Sequence, residues 1–153
     1  MAITDTTLER PPGAPTVYVC VTCKREGEPD EPRPGALLAA ATEQAAAGTE
    51  VNVRRLQCLA NCTRGASAAV RCNGSWTYVF GGLDPTCGQG LVDGARLLAG
   101  ATDGIMPWRG RPAPLKRGLI ARVPPIGFEG LGFENKSLEN VSAEEAQLKG
   151  TDE

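Results

Sequence analysis

The sequence predicts an α/β fold in the order β-α-β-β-β-α, running from about residue 16 to about residue 100. Three observations carry that expectation. Two strand-like stretches, Thr16–Val21 and Glu50–Gln57, flank an alanine-rich helical stretch, Gly35–Ala47. A connection of that length and kind joins parallel strands through a right-handed crossover. Asn73-Gly74 then marks a hairpin between two further strand-like runs. A close cysteine pair follows each of the first two strands: Cys20-Val21-Thr22-Cys23 and Cys58-Leu59-Ala60-Asn61-Cys62.

Taken in order, Thr16-Val17-Tyr18-Val19-Cys20-Val21 alternates and is rich in β-branched residues, as a strand requires. Lys24 to Pro34 is charged and proline-rich, a loop. Gly35–Ala47 follows a proline and closes on Gly48, which fits a helix ending in a left-handed cap. Glu50–Gln57 returns as the second strand. Ala66–Cys72 and Ser75–Phe80 form the hairpin, and Asn73-Gly74 predicts a type I′ turn between them. Asp84-Pro85 reads as a helix cap with proline at the first position. The helix that follows, to about Ala99, sets Leu91, Val92, Ala95 and Leu98 on one face. This order describes a compact thioredoxin-like α/β sandwich.

The chain divides into an N-terminal stretch (1–15) expected to be disordered, a thioredoxin-like domain (16–102) that carries both close cysteine pairs, a basic proline-rich arm (103–125) and an acidic tail (126–153), partly disordered. Pro107, Pro112, Pro114, Pro124 and Pro125 predict an extended arm rather than a packed element. In the tail, Glu139–Lys149 could form a short amphipathic helix. The 153 residues suffice for one domain with a modest core, built from Val, Leu and Ala because aromatics are only 5%. The net charge of −2 is uninformative, but its distribution is not. Ile105–Val123 has five basic residues and no acid, whereas Pro124–Glu153 has seven acids against two lysines. The start of the chain lacks the apolar core of a secretory signal, and no apolar run is long enough to span a membrane. Cytoplasmic residence is expected, where close cysteines bind metal or do redox work more often than they form disulfides.

Parallel strands end on one edge of a sheet, so the loops after the first two strands are neighbours. That places Cys20, Cys23, Cys58 and Cys62 where they can converge on one centre. Four thiolates with no histidine anywhere in the chain fit an iron–sulfur cluster or a structural zinc, and exclude a Rieske centre or a histidine-containing zinc site. Cys20 and Cys23 alone could instead be a thioredoxin-type dithiol, which leaves the second pair unexplained. A metallochaperone holding zinc or cobalt is a further alternative, although four thiolates suit softer ions better. Cys72 and Cys87 read as ordinary residues, a small buried hydrophobe and a helix-start cysteine.

The pattern C-x2-C…C-x3-C on this strand order resembles the thioredoxin-like [2Fe–2S] ferredoxins, including the ferredoxin-like subunit of respiratory NADH dehydrogenase. The loop Cys58-Leu59-Ala60-Asn61-Cys62-Thr63-Arg64-Gly65, the hairpin and the Gly81-Gly82-Leu83-Asp84-Pro85 lead-in to the last helix carry the likeness, over residues 16 to 100. The first pair is tighter than is usual there, which leaves open how the ligands divide between the irons. The resemblance implies a [2Fe–2S] cluster on Cys20, Cys23, Cys58 and Cys62 and a single-electron carrier rather than an enzyme. Proteins of this fold often dimerise, so a homodimer is one expected state. More narrowly, Val19–Cys23 together with Asp103-Gly104 and Arg111–Pro124 resembles a family of small predicted metal-binding proteins met beside cobalamin-biosynthesis genes. That likeness implies a pathway rather than a chemistry.

Trp108, Arg109, Arg111, Lys116, Arg117 and Arg122 would give the arm a basic face with one aromatic anchor. Such a face suits an acidic redox partner, while Leu115, Leu119 and Ile120 could equally strap the arm onto the domain. One tryptophan, an acidic tail and no recognised motif speak against nucleic acid. With no histidine, no nucleophile elbow and no phosphate-binding glycine fingerprint, substrate-transforming catalysis is not expected.

Overall fold

A computed structural model of the chain describes residues 13–23 and 31–128. Most of the 1–15 stretch expected to be disordered, most of the 24–34 loop, and most of the 126–153 acidic tail with its Glu139–Lys149 helix lie outside them. Five strands and three helices make up the fold: β1 (Thr16–Cys20), α1 (Pro34–Ala46), β2 (Asn52–Leu56), β3 (Ala68–Arg71), β4 (Thr77–Phe80), α2 (Gly88–Ala99), α3 (Ala113–Arg117) and β5 (Leu119–Val123). Short 3-10 turns at Cys62–Arg64 and Pro85–Cys87 complete it.

The sheet order is β2-β1-β3-β4-β5. β1 and β2 are parallel, and the other three pairings are antiparallel. The thioredoxin-like α/β class expected from the sequence is therefore the class observed. Val17 and Val19 of β1 stand opposite Val70 and Ala68 of β3, which stand opposite Tyr78 and Phe80 of β4. These six residues are buried. Their shared parity forms one face of the sheet, and α1 and α2 pack side by side over it. The helices cross in close contact, because a Cβ on Gly88 would lie 2.6 Å from the Ala41 carbonyl carbon.

The ends of the elements follow local chemistry. Gly48 takes the left-handed conformation (φ 79°) after α1, as a helix-terminating glycine does. The Asp84 side chain accepts from the Thr86 N–H at 2.9 Å and caps the turn leading into α2. In the hairpin, Ser75 N–H donates to Cys72 O at 3.0 Å and Gly74 has φ 76°. Asn73 is not left-handed, so the turn has the positive φ at its third residue, as type II does, and is not type I′. β3 ends at Arg71, which leaves Cys72 just outside it.

The arm is not the extended, unpacked element its prolines predict; it packs on the domain through Leu115 and Leu119, as the strap reading has it. Met106 and Leu115 are buried, and residues 119–123 add a fifth strand to the sheet. The prolines bound these elements instead of interrupting them. Pro112 is the cap of α3, Pro114 lies in its first turn where no N–H is needed, and Pro124 falls just past β5. Leu115 seats on α2, where a Cβ at Gly94 would stand 2.3 Å from its Cδ1 atom. Met106 N–H donates to the Tyr78 hydroxyl at 2.9 Å. No helix among the described residues is long and apolar enough to cross a membrane.

Candidate metal centre

β1 and β2 end in register, Cys20 opposite Leu56. Val21 N–H carries the ladder one step further, donating to Leu56 O at 2.9 Å. The two cysteine loops therefore leave the same edge of the sheet side by side. Cys20 Sγ donates to Gln57 O at 3.3 Å, and the Thr22 hydroxyl donates to the same oxygen. The first pair thus touches the residue that precedes the second pair.

The two pairs differ in surroundings. Cys20 and Cys23 are 1% and 5% exposed, and Gly35 closes over them. Its N–H donates to Cys23 O at 3.2 Å. Cys58 and Cys62 are exposed, with their sulfurs 3.9 Å apart. Ala60 is the single non-glycine residue with positive φ (59°) among the described residues. That bend turns its N–H onto Cys58 Sγ at 3.1 Å. An amide aimed at sulfur is one of the means by which a protein stabilises thiolate charge.

The thiols influence one another across the site. Burial alone would raise Cys20, but bonds from Cys23, from the Thr22 side chain and backbone and from the Leu59 backbone hold it below the ordinary thiol range. Burial, with the hydrogen bond and charge of Cys20, pushes Cys23 up to about 11. Cys62 is raised by its bond to Cys58 and the charge there, then by burial and the charge of Cys20. Cys23 and Cys62 are thus each held from ionising in part by a neighbouring thiol's charge, a repulsion that a bound cation would relieve.

Two thiolates on one tetrahedral ion stand about 3.8 Å apart when each metal–sulfur bond is about 2.3 Å. The 3.9 Å between Cys58 and Cys62 fits that edge. Among the described residues no three His, Cys, Asp or Glu side chains gather as one single-ion site. The donors stand as two thiol pairs on one sheet edge. Four thiolates so placed suit a two-iron cluster or a single tetrahedral ion.

Several supporting residues carried no signal in the sequence. Asn61 Nδ2 donates to Ser67 Oγ at 2.9 Å and to Arg64 O at 3.4 Å, bracing the second loop against β3. Cys20 N–H donates to Ser67 O at 3.1 Å, so fully buried Ser67 ties both loops together. Gly81 makes room for that brace: a Cβ there would lie 2.4 Å from Asn61 Nδ2. The Gly81-Gly82 pair directly after a strand was the one available hint. Cys72 Sγ donates to Gly13 O at 3.1 Å, and buried Cys87 sits at the start of α2. Neither belongs to the two loops.

The residues expected to form a docking face divide. Trp108 is 60% exposed, with Lys116 Nζ 5.0 Å from its ring centroid. Arg109 and Arg117 are exposed, and Arg122 lies 4.4 Å over Trp76. Arg111 is the correction. It is 8% exposed, donates through Nε to Pro107 O at 3.2 Å and through Nη2 to Met106 O, and lies between the Tyr78 and Trp108 rings. Its charge braces the arm instead of facing a partner, because two ring faces and two carbonyls meet its donors inside.

Fold and site together define an α/β protein of thioredoxin-like class with two cysteine pairs on one sheet edge. A family model described as a protein of unknown function, DUF1636, matches residues 17–125, and the chain belongs to that family. Similar solved structures include a thioredoxin-like [2Fe-2S] ferredoxin from Aquifex aeolicus, at 17% identity over 74% of this chain and 96% of that one, with a TM-score of 0.48. A wild-type thioredoxin-like [2Fe-2S] ferredoxin from the same organism gives 18% identity, coverages of 70% and 96%, and a TM-score of 0.42. A cysteine-to-serine variant gives 15%, 70%, 98% and 0.45. Scores of this size leave the fold to be argued from strand order and register. No curated protein compared with the chain matches it.

Proposed function

We propose that this protein holds a [2Fe–2S] cluster on Cys20, Cys23, Cys58 and Cys62 and serves as a single-electron carrier. The observation that carries the reading is the meeting of the two pairs: Cys20 Sγ reaches Gln57 O at 3.3 Å, beside a second pair with its sulfurs 3.9 Å apart. Bound there, the cluster would supply one-electron chemistry. The chain's own residues bind it and bias it. The Ala60 amide points at Cys58 sulfur, Gly35 and α1 cover the first pair from water, and the exposed 58–62 loop brings the site to the surface.

The dithiol alternative is less well supported, because an attacking thiol must be reached by its substrate and Cys20 is 1% exposed. A zinc or cobalt adaptor would use the same four thiolates. A reducing compartment such as the cytoplasm would preserve the six free cysteines. Trp108, Arg109, Lys116, Arg117 and Arg122 make the docking face for an acidic redox partner. The likeness of the 103–124 segment to proteins met beside cobalamin genes favours a reductive step in cobalt handling.

Anaerobic purification with iron, zinc and acid-labile sulfide analysis tests the reading, together with visible and EPR spectra of the reduced protein. About two irons and two sulfides per chain, and a paramagnetic reduced state, are expected. A colourless protein with stoichiometric zinc and no sulfide would falsify it.

A further inference from the structure

A cleft of about 470 Å³ opens on the far side of the Cys62–Arg64 turn, between the exit of β4 and α3. Arg64 and Arg117 both line it, with Gly82, Asp84, Thr86 and Cys87 among the other residues of its wall. One dipeptide holds both arginine-bearing turns: Gly82 N–H donates to Arg64 O, and Gly81 N–H donates to Gly118 O at 2.8 Å. The approach is close enough to require bare backbone. A Cβ at Gly118 would lie 2.6 Å from Gly81 O, and one at Gly81 would lie 2.7 Å from Arg64 O.

Neither guanidinium has an ion pair among the described residues. One carboxylate, that of Asp84, lies in the wall. Its Oδ1 accepts from the Thr86 N–H at 2.9 Å and from the Thr86 hydroxyl at 2.8 Å. Two arginines without an ion pair among the described residues, set in a concave wall, focus positive potential, and each offers a planar fork of N–H donors matched to two oxygens of one anion.

We propose that this cleft binds a small oxyanion, a phosphate or carboxylate group, held between Arg64 and Arg117. None of Cys20, Cys23, Cys58 and Cys62 lines the cleft, although Arg64 shares the short turn that begins at Cys62. A cleft of about 470 Å³ admits a small anion.

Amide chemical shifts of the intact protein, followed at constant ionic strength against inorganic phosphate and separately against acetate, test the proposal. Saturable shifts at Gly81, Gly82 and Thr86 are expected, and the anion that saturates them identifies the group. Each of Arg64→Gln and Arg117→Gln should weaken binding about tenfold or more, the loss of a charge-assisted contact. Arg64→Gln keeps the backbone carbonyl that Gly82 uses, so an otherwise unchanged spectrum will show that the fold is retained. Arg54→Gln, a surface arginine on β2, should leave binding unchanged. Absence of saturation with both anions, or equal weakening by all three variants, would overturn the proposal.

Discussion

Gly35 lies against the carbonyl oxygen of Cys20 so closely that a β-carbon on it would stand 2.1 Å from that oxygen and 3.2 Å from Cys23 Cβ. The first full turn of α1 is thus pressed onto the first cysteine pair. Backbone cannot retreat as a flexible side chain can. Gly35→Ala must shift either the helix or the loop, at a cost of about 1–3 kcal/mol for overpacking. The expected result is a lower denaturant midpoint together with reduced metal content. A variant of unchanged stability and full metal content would show that the contact is not rigid.

The six cysteines should separate cleanly in a substitution series. Serine at Cys20, Cys23, Cys58 or Cys62 is expected to lower bound iron and sulfide, measured chemically on anaerobic protein. Alanine at Cys72, whose thiol is used by Gly13 O, should leave both near wild type. Cys87→Ala trims a buried side chain, so it should cost about 1 kcal/mol or more of stability without loss of iron. Equal iron loss in all six variants would make the loss a matter of folding rather than ligation.

Arg111 and its neighbours on the arm predict opposite behaviours. Arg111→Ala removes two bonds to carbonyls and the packing between two rings, and should destabilise the protein by about 1–3 kcal/mol. Arg109→Glu combined with Lys116→Glu should leave stability within about 0.5 kcal/mol. It should also slow reduction by the physiological donor about tenfold at low salt, an effect that fades at high salt. Stopped-flow kinetics against ionic strength and urea unfolding give the two readings. Salt-independent slowing would remove the docking role.

Glu43 on α1 and Arg55 on β2 form a paired contact, Nε to Oε2 at 2.9 Å and Nη2 to Oε1 at 2.6 Å. The Arg55 hydrogen bond holds Glu43 below its ordinary value of 4.5, against a small opposing effect of burial. A carboxyl depressed in the folded state contributes stability that is full above its unfolded value and disappears as pH falls through its folded one. Both side chains are more than 40% exposed, so solvent limits the contribution to about 1 kcal/mol or less. Glu43→Gln should therefore be slightly less stable than wild type at pH 7, with the two converging in acid below 4.5. A gap that persists or widens in acid would assign the effect to packing.

Much of this arrangement was legible beforehand because it follows from local chemistry. The alternation in β1, the alanine-rich α1 with Gly48 behind it and the Asp84-Pro85 cap all act within a few residues. Convergence of the cysteine loops needed just one non-local rule, the parallel crossover. The arm was misread because prolines look like breakers wherever they occur, while their effect depends on position in an element. Arg111 was hidden for a related reason. An arginine in a basic run is ordinarily solvated, and its burial depends on Tyr78, a residue of a strand far back in the chain. The hairpin turn was placed correctly and given the wrong geometry, since Gly74 supplies the positive φ alone.

β1 lies inside the sheet, hydrogen-bonded along both edges, to β2 and to β3. It cannot detach without dismantling both pairings, so its amides should exchange with solvent only as the whole domain opens. The 58–62 loop hangs from β2, which is the outermost strand on its side, and both of its thiols are exposed. The two halves of the sulfur site are therefore tied to the sheet unequally. Opening the first requires both pairings of β1 to break and opening the second only one, so any bound metal is expected to begin its departure from Cys58 and Cys62.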